Sequence, residues 1–567
     1  MNDVPEDILA RMKSESALEQ ARRKEKQGNT VIPLKPAPRS MTIEEVRALE
    51  ALRSPKQISQ PTFTLAEARM GEIAVQVMTA LSEANAGIYQ RGGRLMRPIV
   101  EEMIDGKGRR KSASLVELDA AYLKHLLGTT MRWQRNTRDG IRSTGPGAEI
   151  PKAILAMRGS WLFPALTGLL STPTIRADGS PLNQPGYDVQ TGLLLMNPPP
   201  MPAVNERPTP EDASAGLALL KELLTEFPFV DEASRAVALS LILSTVLRGA
   251  LTHTPLHLFA APLAGSGKSY LVDIASMIAT GECAAVVAAS RNSDEREKRL
   301  GASLLSGRAL IALDNLSGEL ESDLLCQITS QSVVTFRPLG SSEEFKLECR
   351  SVVSANGNNI SIADDLGRRT MLCNLDAKVE KPWQREFKQN PLAEIEKDRG
   401  RFVAAALTIP LAYFAARREL PIPPLSTVAN GFEQWNDFVR GPLVWLGEAD
   451  PASAFEAARS EDPRLQAKLG VFTAMANFIG IGQDHARTAA RIIDASGDQL
   501  TPELEPKRRA LRTALMAIAP AGANDISPQQ LGFWLRSAKL QIVGGMRLCS
   551  DLDRNSTSTW WIERCGP

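Results

Sequence analysis

The sequence predicts a multidomain α/β protein: a P-loop core, a small N-terminal α+β domain, a helical lid and a C-terminal winged helix. Three observations predict it. Residues 256–269, Leu-His-Leu-Phe-Ala-Ala-Pro-Leu-Ala-Gly-Ser-Gly-Lys-Ser, read as a buried strand, a Gly-rich loop and the first turn of a helix. Two further apolar runs, Leu310–Leu313 and Ser351–Ala355, read as strands that end in the polar residues Asp314 and Asn356. The last sixty residues read as two helices followed by two strands around a polar wing.

The first segment has the order of parts that a nucleotide-phosphate cradle needs. In Gly265-Ser266-Gly267-Lys268-Ser269 the glycines let backbone N–H groups turn toward phosphate oxygens. Lys268 is spaced to reach the β- and γ-phosphates, and the Ser269 hydroxyl to hold Mg²⁺. The helix N-terminus adds its partial positive charge. ATP and Mg²⁺ are the expected ligands. One departure stands out: Pro262 occupies the place of the usual first glycine.

Turnover needs more than a cradle. Leu310-Ile311-Ala312-Leu313-Asp314 is an apolar strand ending in a carboxylate, the Walker B arrangement in which Asp314 holds the Mg²⁺ water shell. The next residue is Asn315, which can orient a water but cannot take its proton. Glu295, Glu297 and Glu319 are the nearby candidates for a general base, with Glu295 ranked first and solvated helix charges as the plainer reading. Asn356, then Asn358, is expected at a strand tip beside the loop, positioning a water near the γ-phosphate. Arg368-Arg369 fits a finger reaching a neighbouring subunit's nucleotide, one arginine pairing with Asp364 or Asp365. Residues 333–346 read as a hairpin turning at Gly340-Ser341. Its Arg337 and Lys346 are candidate contacts to a DNA backbone, although Glu343 and Glu344 would repel one.

Composition and spacing set the rest. The chain has 567 residues and a formal net charge of +1, so global charge selects no partner and a nucleic-acid site must be a local patch. Six scattered cysteines without a C-x-x-C pair argue against a zinc ribbon and a disulfide framework, and fit a reducing cytoplasm. Four histidines make a His-built metal site a poor expectation. No apolar run is long enough to span a bilayer, and no secretory signal opens the chain.

Residues 1–62 read as a polar tail and Pro-rich linker, with Arg22-Arg23-Lys24 better read as solvated than as a DNA contact. Residues 63–200 read as the α+β domain, a DNA-binding or assembly collar, with a helix over Thr64–Asn85. A Gly92-Gly93 hairpin and a helical pattern around 115–127 follow. Thr209-Pro210 opens a helix that leads into the core, residues 208–390. Residues 391–504 form the lid and connecting helices, broken at Pro421–Pro424. In the winged helix, residues 505–567, Arg508 and Arg512 on the first helix and Arg536 and Lys539 on the second are candidate phosphate contacts. Gln529 and Gln530 are placed to read adenine edges. Trp534, Trp560 and Trp561 read as core, and the strands are expected over Gln541–Cys549 and Ser558–Ile562 around a wing bearing Arg554 and Asn555.

The order Gly-Ser-Gly-Lys-Ser, Leu-Asp-Asn, Arg-Pro-Leu-Gly-Ser-Ser-Glu, Asn-Gly-Asn-Asn and Asp-Leu-Gly-Arg-Arg resembles the AAA+ superfamily 3 type helicase module of phage and integrative-element DNA primase/helicase proteins. Arg91–Arg94, Pro185–Asp188, Leu375–Pro382 with Arg385 and Phe387, and Pro442–Gly447 look like that family too. The likeness covers about residues 63–450. It implies an AAA+ ATPase core in a homohexameric ring that hydrolyses ATP at subunit interfaces. Such a ring moves along single-stranded DNA, generally 3′→5′, and unwinds forked duplex. The primase part of the label does not carry over, because no paired-carboxylate polymerase motif is present. The alternatives are a DNA-binding ATPase that does not unwind, such as a helicase loader or origin-remodelling factor, and a nucleotide-gated defence or regulatory switch.

Overall fold

The computed structural model describes residues 60–65, 69–105, 108–288, 292–337, 343–362, 364–419, 431–460, 462–497, 504–520, 523–553 and 556–565. The expected tail with its basic cluster, the Pro421–Pro424 break, the Gly340-Ser341 turn and the wing residues Arg554 and Asn555 lie outside them. The chain divides into two compact units. One comprises Met1–Pro61 with Ala84–Ala86, of which only residues 60, 61 and 84–86 are described. The other, Thr62–Glu83 with Gly87–Pro567, carries every element below. The architecture is multidomain and mixed α/β, with a parallel sheet and many helices.

The sheet has five strands: β1 (Leu256–Ala261), β2 (Ala285–Ala288), β3 (Leu310–Leu320), β4 (Val352–Ile362) and β5 (Thr370–Asn374). Their order is β2-β3-β4-β1-β5, and every pairing is parallel. A parallel sheet is covered on both faces, so its strands are continuous apolar runs rather than alternating ones. β1 is buried along its whole length. Successive residues serve opposite cores. Phe259, Ala261, Leu310, Ala312, Val352 and Met371 enter one, while Leu256, Leu258, Ile311, Leu313, Val353 and Leu372 enter the other.

α1 (Pro210–Glu222) leads in and packs on the helix Arg399–Glu419, while α2 (Glu232–Val246), α3 (Lys268–Thr280) and α4 (Ser293–Leu305) pack against the sheet. α1 starts as its sequence requires. Thr209 Oγ1 accepts from Asp212 N, and the Asp212 carboxylate accepts from Thr209 N, with Pro210 in the first turn. Loss of such a cap costs about 1 kcal/mol. α2 is apolar on all sides and almost wholly buried, as a core helix must be. His257, buried on β1, places Nε2 3.0 Å from Ser240 Oγ on α2, and burial pushes its imidazole down to about 3.

The region before α1 departs from the periodicity reading in two places. The segment expected to begin a helix at Thr64 is first a strand, Thr62–Leu65, paired in parallel with Arg132–Thr137; its helix starts only at Met70. The helical pattern around 115–127 opens inside the strand Gly108–Glu117, and the helix begins at Ala120, capped by Asp119. In the first case a partner distant in sequence overrides local pattern; in the second the strand is the return arm of a hairpin with Arg94–Asp105. The hairpin at Gly92-Gly93 forms as expected, with φ of +57° and +73°. Beside it, the buried Arg91 guanidinium donates to the carbonyls of Leu166, Thr167, Leu304 and Leu305. The last two end α4, where a helix favours a cation.

The C-terminal helices Pro463–Phe478, Ala489–Gly497, Glu505–Ala517 and Pro528–Ala538 share one core with a four-stranded antiparallel sheet. The single strand expected over Gln541–Cys549 is two, Ile542–Val543 and Met546–Leu552. Gly544 and Gly545, both at positive φ, turn the chain between them. Trp560 and Trp561 are buried and Trp534 packs on the same core, as expected.

His257 makes stability pH-dependent in one direction. The folded chain keeps it neutral down to about pH 3, while an unfolded imidazole titrates at 6.5. The unfolded state therefore binds the extra proton, and this residue's contribution is complete above pH 6.5 and lost as pH falls toward 3. Thermal unfolding of wild type and His257→Gln across that range should show a lower midpoint for the variant at pH 7 and a shallower acid decline. Parallel curves would contradict the assignment.

Candidate functional site

The site is built where β1 ends, at Ala261, beside the middle of β3 and β4; the strands expected to end at Asp314 and Asn356 instead run on, with an irregular register, to Leu320 and Ile362. After Ala261 the chain turns through Pro262–Gly267 and enters α3 at Lys268. Gly265 and Gly267 sit at φ of +79° and +95°. A Cβ on Gly265 would lie 3.0 Å from the backbone N and Cβ of Trp383, and one on Gly267 would lie 2.9 Å from the Phe227 ring. Handedness and space thus both demand glycine. Ser266 Oγ donates to Leu263 O at 2.6 Å and closes the turn. The first N–H groups of α3 have no intrahelical partner, and they mark its positive end.

Lys268 is buried. Its Nζ donates to Asn358 Oδ1 at 2.8 Å and to Leu263 O at 3.4 Å, both neutral acceptors. Burial pulls the ammonium below its usual range, and the nearby Asp314 charge opposes that shift. Ser269 Oγ stands 3.3 and 3.4 Å from the two Asp314 carboxylate oxygens and accepts from Asn356 Nδ2 at 3.3 Å. Asn356 and Asn358 are two apart on β4, hence on one face. They divide the work: Asn356 faces the Ser269–Asp314 pair and Asn358 faces the lysine.

Asn315 explains itself through its backbone. The β3–β4 register shifts between Leu313 and Leu316, and Asn315 adopts φ +57°. Asparagine enters this left-handed region more readily than most residues. From there its N–H donates to Asp314 Oδ1 at 2.7 Å and to Asn356 Oδ1 at 3.1 Å. One backbone group therefore fixes both neighbouring side chains.

The remaining sequence candidates are held elsewhere. Glu295 Oε1 lies 2.5 Å from Arg299 Nη2 on its own helix. Glu297 accepts from Ser322 Oγ and Leu324 N, and Glu319 pairs with Arg464 at 2.8 Å. Arg368 and Arg369 share Asp365, with Arg369 Nη2 at 2.9 Å; Arg368 is exposed.

Among the DNA-contact candidates, Arg337 pairs with Glu344 at 2.9 Å across an antiparallel hairpin, Val333–Phe336 with Phe345–Glu348, and Lys346 is exposed. Arg508 spends its guanidinium on Glu505 and Ser496 O, and Arg512 pairs with Asp525 at 2.8 Å. Arg536 and Lys539 are exposed. Gln530 is tied into a capping box with Ser527, which removes it from the base-reading pair expected with Gln529.

Motif reading missed a second group beside the loop. Phe227 and Trp383 are the residues that crowd the two glycines, and Tyr270 OH lies 2.9 Å from Asn390 Oδ1 next to them. The available signal was a tryptophan and a phenylalanine, Trp383 and Phe387, in an otherwise polar segment. Among the described residues, no group of three or more His, Cys, Asp or Glu is placed to hold a metal ion. An ion at this cluster would take only the Ser269 hydroxyl and the Asp314 carboxylate from it. No helix among those residues is long and apolar enough to cross a membrane.

No protein-family model matches the chain, and no curated protein matches it. Among solved structures, the chain is similar to the apo A form of the NrS-1 C-terminal region. The identity is 12% and the TM-score 0.33, over 82% of this chain and 96% of that one.

The role given to Asn315 is open to a direct check. Asn315→Gly should keep the wild-type unfolding free energy to within a few tenths of a kcal/mol. Asn315→Val, forced to positive φ, should lose about 1–2 kcal/mol. Denaturant titration of both measures this, and equal stabilities would remove the bulge as the reason for asparagine.

Proposed function

We propose that this chain is an ATP-dependent DNA helicase or translocase of phage or mobile-element replication. It works as a homohexameric ring that hydrolyses ATP at subunit interfaces and moves 3′→5′ on single-stranded DNA. The observation that carries the reading is the cluster beside the end of β1: Lys268 on Asn358, with the Ser269 hydroxyl between Asp314 and Asn356. In this reading the chain has a P-loop AAA+ core, a helical lid and a C-terminal winged helix.

The residues fit a magnesium nucleoside triphosphate. Two glycines without Cβ atoms leave a backbone loop at a helix N-terminus, which is an anion seat. The buried Lys268 ammonium rests on neutral oxygens that phosphate oxygens can replace with gain of charge pairing. Ser269 and Asp314 offer Mg²⁺ one hydroxyl and one carboxylate, a set that leaves most of its coordination to water and phosphate. When bound, Mg²⁺ neutralises charge building between the β- and γ-phosphates.

The chain's own residues do the rest. Lys268 exchanges Asn358 for phosphate. Asn356, steadied by the Asn315 N–H, orients a water at the γ-phosphate. Arg368, exposed at one end of its pair with Asp365, reaches a neighbouring subunit's nucleotide, and Arg369 stays as its support. The hairpin bearing Arg337 and Lys346, and the helix bearing Arg536 and Lys539, supply the contacts to DNA phosphates.

Single-turnover and steady-state hydrolysis, with and without single-stranded DNA, tests the reading. Wild type should hydrolyse ATP, faster with DNA, and displace a strand from a fork with a 3′ tail. Lys268→Ala should lose turnover. Arg368→Ala combined with Arg369→Ala should keep ATP binding and lose on the order of 10³-fold in turnover. DNA-stimulated hydrolysis without displacement at either polarity would leave a DNA-binding ATPase and end the helicase reading. Full turnover by Lys268→Ala would end the phosphate seat itself.

A further inference from the structure

We propose that Trp383 is the platform on which the base of a bound nucleoside triphosphate stacks. The inference rests on the phosphate seat proposed above and adds the residue that holds the other end of the ligand.

Trp383 lies in the strap Lys381–Gln389, and that strap is fastened to the glycine loop. The N, Cα and Cβ atoms of Trp383 come within 3.0–3.2 Å of where a Gly265 Cβ would stand, so backbone meets backbone at the seat. The strap is pinned from outside the loop. The Glu226 carboxylate accepts from Lys388 N at 3.0 Å and from Gln389 N at 3.1 Å. Arg385 Nη2 donates to Glu226 O at 2.7 Å, and the buried Pro382 anchors the near end. The residue next to Glu226 is Phe227, whose ring touches the position of a Gly267 Cβ. One dipeptide therefore fixes the strap and lines the loop.

Against that order, the large side chain nearest the loop is left in solvent. Trp383 is 61% exposed and Phe387 55%, with the Arg385 guanidinium 5.1 Å above the Phe387 ring. A tryptophan normally buries its large apolar body. A rigidly mounted, exposed indole beside an anion seat has the chemistry of a stacking surface. Stacking on an aromatic ring uses the π-face that every base has, and removing such a ring costs roughly tenfold or more in affinity.

Two ligands separate the platform from the seat. Calorimetric titration of the full chain with Mg²⁺-ATP and with inorganic tripolyphosphate reads the base and the phosphates independently. Wild type should bind both. Trp383→Ala should bind ATP roughly tenfold more weakly and tripolyphosphate unchanged, and Trp383→Phe should recover most of the loss. Unchanged ATP affinity in Trp383→Ala would overturn the platform. So would an equal loss for both ligands, which would make the strap only a support for the loop. Wild-type protein that binds neither ligand would remove the seat, and the platform with it.

Discussion

A buried ammonium resting on neutral oxygens organises the whole edge of the parallel sheet. Lys268 is largely withdrawn from water without a carboxylate in hydrogen-bond contact; Asn358 and a loop carbonyl are what it has. Burying a charge on such partners is costly, and the cost falls when an anion arrives. Everything nearby keeps that arrangement in place. Parallel pairing sets the end of β1 beside Asp314 on β3 and Asn356 on β4, the glycines let the loop fold back over them, and the β3 bulge points one N–H at two side chains. On the proposed reading, the energy withheld in the free chain is what drives phosphate binding.

The basic residues are organised differently. Arg337 and Arg368 are each paired with a carboxylate of their own chain, but in exposed pairs. Exposed ion pairs are worth about 0–1 kcal/mol, so exchanging one for a phosphate contact meets little resistance. Arg508 is held more firmly, by Glu505 on one side and a backbone carbonyl on the other. Of the terminal candidates, Arg536 and Lys539 are the exposed ones, and they share a face with Gln529 and Phe533 that faces solvent.

Much of this was legible in the sequence where chemistry and geometry use neighbouring residues. The strand, loop and helix around Gly265–Ser269, the cap at Thr209 and the Gly92-Gly93 turn are short-range features, and each stands where its residues placed it. Pairing between distant segments was not legible. The strand Thr62–Leu65 depends on Arg132–Thr137; the split at Gly544-Gly545, by contrast, is a local turn whose glycine pair stands in the sequence. Within the site, the sequence singled out Asn356 and Asn358 but could not divide their tasks, because the division depends on the register of β4 against β1. Asn315 looked like a missing glutamate. In the structure its type answers first to a positive φ. Lys381, Pro382, Arg385 and Phe387 of the strap were singled out as family-like, but Trp383 among them was not, because nothing local connects residue 383 to residue 265.

The central claim is that the phosphates of a nucleotide sit on the Gly265–Ser269 loop. A structure of the full chain with Mg²⁺ and a non-hydrolysable ATP analogue tests it most directly. The account predicts the terminal phosphates against Lys268 Nζ, with Asn358 released and the metal between Ser269 and Asp314. An analogue bound elsewhere, or a Lys268–Asn358 contact unchanged beneath a bound nucleotide, would contradict it.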